Sequence, residues 1–365
     1  MSTKLNNIFQ ILPELPKPLA PSHCILFKDE LLIYGGYTTN DCYSYHTLKK
    51  QYKYICSYPN DIQMDGHCVV QLIHSQTNSN EIHLLSFGGQ GGNKMKQTFS
   101  MKYKSVWEIS ESKSEHQSFN TWIRHNQDTN IGKLEDHLQG VRGLIGGINN
   151  DLLFITHHPK NIKVIDLKTM KALAGIKNNT IPKENDIFYH CFVPLTMNNR
   201  KLINHFILFC RNTGLLIKYD ERNKTFHYEK LPICPALNGS YSYSFVYLYD
   251  FIFLFGGFNG NTWQKVKSVY KYSMKEKIWT ECKFTLPMAI SQSFAILSDD
   301  NKNVHVIGGR NAKYEIQKMH VNVNVEQLFE KSELLKMVKM YENSRGMEKV
   351  ENTNTKIGKQ IERMG

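Results

Sequence analysis

Three places in the chain set an imidazole directly beside a thiol: His23-Cys24, His67-Cys68 and His190-Cys191. Neutral imidazole and thiolate are common metal ligands, so three such dipeptides raise a metal centre as the first chemistry to test. Each pair opens an apolar run, and if those runs are strands around one axis, one member of each pair could line it. Adjacent strand residues point to opposite faces, however, so a pair cannot chelate as a unit. None of the eight cysteines (Cys24, Cys42, Cys56, Cys68, Cys191, Cys210, Cys234 and Cys282) forms a Cys-x-x-Cys pair. Buried small thiols are expected, with no metal and no cofactor. His157-His158, ahead of Pro159, has no carboxylate or thiol beside it and reads as loop.

Other reaction chemistry finds little support. Gly88-Gly89-Gln90-Gly91-Gly92 imitates a phosphate loop, but polar and β-prone residues follow it, so no helix N-terminus would meet a phosphate. No Gly-x-Ser-x-Gly elbow and no Gly-x-x-x-x-Gly-Lys loop is evident. No catalytic residue is assigned.

The elements around these residues repeat. The clearest copy, Tyr241 to Pro287, holds four short β-branched and aromatic runs: Tyr243–Tyr249, Phe251–Phe255 ending in Gly256-Gly257, Ser268–Ser273 and Ile278–Lys283. The first copy has Cys24–Phe27, Leu31–Tyr34 with Gly35-Gly36, Tyr43–His46 and Tyr52–Cys56. The second has His67–Ile73 and Ile82–Phe87 with Gly88-Gly89, then Tyr103–Ile109 and Thr121–Arg124 around a polar insertion. Two copies lack the glycines: one over Val141–Ala174, with Thr156-His157 in their place, and one over Cys191–Tyr228, with Cys210-Arg211. The last, Phe294 to Val323 with Gly308-Gly309, lacks a fourth strand, which Ile8–Leu12 is expected to supply. Gly35 to Gly88 spans 53 residues and Gly256 to Gly308 spans 52. A period near fifty points to a repeat architecture.

Ring side chains recur with the glycines. Tyr45 and Tyr52, Tyr219 and Phe226, and Tyr272 and Trp279 share one spacing, and Trp107 and Trp122 read as the same pair parted by the insertion. With these residues the chain resembles the kelch-repeat family over about residues 8–325. That resemblance implies an all-β, kelch-type β-propeller of about six four-stranded blades, seven being possible, closed by the N-terminal strand. Residues 326–365 read as a C-terminal helical tail, an amphipathic helix over Glu326–Glu342 followed by polar chain.

Function follows less directly. Kelch-like propellers include copper radical oxidases and a sialic-acid epimerase, so an enzyme, metal-dependent or sugar-modifying, stands as one alternative. Net charge is +12, without a block of five or six basic residues. Binding to an anionic surface is a second alternative, and no specific nucleic acid is expected. The longest apolar stretch, Phe245 to Phe258, is 14 residues and too short to span a bilayer as a helix. Without a signal pattern or paired cysteines, a cytoplasmic protein is expected.

The leading expectation is a non-catalytic scaffold that binds a protein partner, its identity unknown, through one face. Antiparallel connectivity puts the loops after strands two and four on the same rim. Those loops supply Tyr37, Asn40, Asn93, Lys94, His158, Arg211, Phe258, Asn259, Asn261, Trp263 and Arg310. Aromatic residues and arginine dominate the energetics of protein interfaces.

Overall fold

A computed structural model describes residues 8–73, 80–108, 119–182, 186–198 and 200–335. The β-branched and aromatic runs form six four-stranded antiparallel sheets, the blades. Blade 1 is His23–Phe27, Glu30–Tyr34, Asp41–His46 and Gln51–Ser57; blade 2 is Cys68–Leu72, Glu81–Phe87, Thr98–Lys104 and Ile123–Arg124. Blade 3 is His137–Gly146, Leu152–His158, Asn161–Asp166 and Lys171–Ala172; blade 4 is Cys191–Met197, Arg200–Cys210, Thr213–Asp220 and Thr225–Lys230. Blade 5 is Ser244–Leu248, Phe251–Phe255, Ser268–Ser273 and Ile278–Thr285. Blade 6 takes Phe294–Leu297, Asn303–Ile307 and His320–Asn324, and its outer strand is Gln10–Ile11 from the other end of the chain.

The first strand of each blade touches the first strands of both neighbours, and blade 6 touches blade 1 in turn, so the ring is closed. Gln10 pairs with Asn322 and Ile11 with Val321, which ties the chain's beginning to its last blade. Closure leaves no inner sheet edge open to another chain.

Apolar side chains gather between blades, and the six clusters correspond to the six interfaces. Leu32, Tyr58, Leu84 and Trp122 join blades 1 and 2; Cys68, Phe87, Val141 and Leu153 join 2 and 3. Phe154, Phe206 and Phe226 join 3 and 4, and Phe209, Ile252 and Tyr272 join 4 and 5. Phe253, Phe255 and Val306 join 5 and 6; Leu19, Leu31, Tyr45 and Ile307 close 6 on 1. Stability therefore comes from each blade burying both faces against its neighbours.

The double glycine is the joint between blades. Gly257 donates to Ile290 O and Gly309 to Leu19 O, both in the entry to the next blade. A Cβ on Gly308 would lie 2.2 Å from Leu19 O, and its φ is +62°, so both space and backbone demand glycine there.

Register corrects three expectations. The residue before each glycine pair faces the first strand, as Tyr34 faces His23 and Phe255 faces Ser244. In blade 3 that residue is Thr156, facing Arg142, so His157-His158, not Thr156-His157, stands in the glycine position. In blade 2 the third strand is Thr98–Lys104, so Met101 faces Leu84 where Tyr45 faces Leu31 in blade 1. Trp107 lies beyond that strand and donates its indole N–H to Ser44 Oγ at 2.8 Å. The cause is the insertion, which hides the spacing; its residues 109–118 lie outside the described residues. Trp122 stacks on Tyr58 at 4.8 Å between blades 1 and 2.

Past the last blade, Val325–Leu328 is a 3-10 turn capped by Asn324. Helix begins only at Lys331, and residues 336–365, with most of the expected amphipathic helix, lie outside the described residues. Phe329 packs on Phe251 and Phe253 with ring centroids 5.3 Å from each. The described tail therefore rests on blade 5.

Candidate binding face

The three His-Cys pairs do not converge on one point: His23 Nε2 lies 3.9 Å from Cys68 Sγ, but the other members turn to different partners. His190 Nε2 lies 2.6 Å from Thr156 Oγ1 in blade 3, whereas Cys191 packs in the core toward blade 5. His67 packs on Tyr58 of blade 1 while Cys68 enters the core with blade 3. Strand alternation thus sends the two members of a pair into different interfaces. His157-His158 also departs from expectation: His158 Nε2 lies 3.0 Å from the Asp186 carboxylate, a partner 28 residues away in sequence. Among the described residues no group of three or more His, Cys, Asp or Glu could hold a metal ion. Near the glycine-rich loop, the Lys96 ammonium donates to the carbonyls of Gly91, Lys94 and Leu134. Those carbonyls hold a cation, so this segment is no anion cradle.

The rim residues sort by chemistry. Asn40 donates its amide to Pro59 O and Ile62 O. Asn259 and Asn261 both donate to Asn238 O, and the Asn259 side chain accepts from Asn261 N–H and Thr262 N–H. These amides are spent on turn geometry. Asn93, with φ +58°, and Lys94 are exposed in the second blade's loop.

Cations and rings behave differently. The Arg310 guanidinium lies 5.3 Å from the Tyr37 ring, Arg211 lies 4.7 Å from Tyr241, and Lys265 Nζ lies 3.3 Å from Tyr314. Arg211 Nε, Arg310 Nε and Lys265 Nζ are each cut off from water with no hydrogen-bond acceptor among the described residues. Burial, then the nearby Arg310 charge, lowers the Lys265 pKa. Two small sheets set this spacing: Ser240–Tyr241, Phe258–Asn259 and Gln264–Lys265 form one, and Ile290–Ser291 with Arg310–Asn311 forms the other. Tyr241 faces Phe258, and Phe258 faces Lys265. Trp263 stands 75% exposed, 6.0 Å from the Phe258 ring.

A band of cations on aromatic rings therefore runs from blade 4 over blades 5 and 6 to blade 1. Sequence reading found Arg211, Phe258, Trp263, Arg310 and Tyr37 but missed Tyr241, Lys265 and Tyr314. The alternation Trp263-Gln264-Lys265 was the one signal; strands of two residues are too short to show a period.

Fold and repeats together define a class of architecture: the chain folds as a kelch-type β-propeller. Residues 241–283, which include the most regular blade, match the family model for the kelch motif. The solved structure of YjhT, a kelch-type propeller, is similar over 87% of this chain and 97% of its own, with TM-score 0.60 and 14% identity. Likeness at that identity describes the fold. No curated protein matches the chain. Among the described residues no helix is long and apolar enough to cross a membrane.

Proposed function

We propose that this propeller is a non-catalytic protein-binding platform and that the double-glycine face is its binding surface. The observation that carries the reading is the band of Arg211, Lys265 and Arg310, each leaning on a tyrosine on one face. A cation held against a ring by its buried stem is pre-ordered for a partner, which lowers the entropy cost of binding. Tyr37, Tyr314 and Trp263 are 44%, 58% and 75% exposed, and arginine with aromatic residues makes the usual interface anchors. The eight free thiols favour a reducing compartment, the cytoplasm.

The test replaces Phe258, Trp263 and Arg310 together with alanine. Binding of a partner captured by the full chain is expected to weaken at least about thirtyfold, a loss typical of interface anchors. Circular dichroism should stay native, because none of the three lies in a core cluster. Undiminished capture by the folded triple variant would place the surface elsewhere.

A further inference from the structure

A cluster of polar and aromatic side chains surrounds the propeller axis. The six first strands surround that axis, and His23, Arg142, Phe245 and Phe294 on them stay partly exposed although their neighbours Cys24, Val141, Ser244 and Ala295 are buried. These partly exposed side chains all lie on the strands that surround the axis. Arg142 leaves blade 3, passes the backbone of blade 4 and ends 5.8 Å from the Phe245 ring of blade 5. On the other side His23 packs on Phe294 at 4.7 Å, and its Nε2 lies 3.9 Å from Cys68 Sγ.

Among the described residues this guanidinium has no carboxylate partner. Its Nε donates to His190 O at 3.1 Å and its Nη1 to Val141 O at 3.0 Å. An arginine carries five N–H donors, so the remainder, including both on Nη2, have no acceptor among the described residues. The acid at the glycine-loop end of the axis, Asp65, is engaged by Tyr189 Oη at 2.6 Å and Gln139 Nε2 at 3.0 Å. The Tyr189 ring crosses that end, so close to Gly66 and Gly140 that neither could carry a Cβ. The groups that face the guanidinium are neutral: His23 and His67 are held below the usual imidazole range by burial and then by nearby positive charge, and burial raises Cys68 and Cys191. A half-buried guanidinium held by two backbone carbonyls and one aromatic ring keeps donors that a counter-charge would engage favourably.

We propose that the axial channel binds a small oxyanion, a carboxylate or phosphate group, on the free edge of the Arg142 guanidinium between Phe245 and His23. The planar fork matches two oxygens of either group, and the low polarity of Phe245 and Phe294 strengthens the contact. This site is independent of the protein-binding face: it uses none of the rim residues.

Isothermal titration of the full chain in chloride-free buffer, at pH 7.5 and fixed ionic strength, tests it with acetate and inorganic phosphate separately. One of the two is expected to bind saturably at one site per chain, and which one binds names the source of the oxyanion. Arg142→Gln should weaken that binding at least about thirtyfold while Arg142→Lys keeps part of it. Absence of binding by both anions, or equal binding by Arg142→Gln, overturns the proposal. Crystals of the native protein soaked in selenate supply a test that needs no variant. An anomalous peak within hydrogen-bond reach of Arg142 supports the site, and no peak there overturns it.

Discussion

Arg211 carries a long side chain where most other blades keep glycine, at the expense of backbone comfort. It occupies the second glycine position of blade 4, donates its N–H to Ser240 O as Gly257 and Gly309 donate in theirs, and has φ +55°. An L-residue in that region is strained by roughly 1–2 kcal/mol, a cost glycine avoids. Its side chain offsets this by lying on Tyr241. Arg211→Gly is therefore expected to leave stability unchanged or raise it by about 1 kcal/mol, read from the urea midpoint, while weakening partner capture. A clear fall in stability would mean that the ring contact outweighs the strain.

At the scale of elements, the ends of the chain are structural. Gln10–Ile11 completes blade 6, and Leu12, Leu15 and Leu19 fill the interface between blades 6 and 1. At the other end Leu328 and Phe329 are buried beside blade 5, and Glu333 pairs with the buried Lys271 ammonium. A division of the chain at residue 325 cuts through this packing. A chain ending at Val325 should be less stable than one ending at Leu335 by about 3 kcal/mol or more, from two lost apolar side chains and an ammonium left without its carboxylate. Chemical denaturation of the two chains measures the difference; equal midpoints would show the strap to be passive.

For the whole molecule, acid is the informative perturbation, because histidines lie in several interfaces between blades. Burial holds His67 down to about 3 and His157 and His305 down to about 4, and it places His320 well below the usual range. In the unfolded chain each returns to about 6.5. Below that value the unfolded chain takes up protons that the fold refuses, so stability is complete above about pH 6.5 and is lost as pH falls toward 4. Each such histidine contributes about 1.4 kcal/mol per pH unit inside the window. Urea midpoints should stay level from pH 8 to 7 and drop steeply between 6 and 4.5. His305→Gln should shallow that drop by about one proton. A level profile down to pH 4.5 would contradict neutral burial.

Much of this architecture was written locally. Gly35-Gly36, Gly88-Gly89, Gly256-Gly257 and Gly308-Gly309 announce the blades because positive φ and a close approach of backbone leave glycine little competition. Tyr45 facing Tyr52, and Tyr272 facing Trp279, are hairpin neighbours, so a fixed spacing in sequence becomes a contact in space. The displaced role of Trp107 and the true glycine position in blade 3 depend on register, which an insertion or a missing glycine conceals. Sites that draw on several blades are further removed still. Arg142 beside His23 and Phe245, or Arg310 over Tyr37, joins residues more than a hundred positions apart. Periodicity and turn chemistry act over a few residues, so the amino-acid order alone determined the repeat, the ring closure and the glycine joints. Which charges lack partners is decided only once six blades surround an axis, because it depends on what the rest of the ring places nearby.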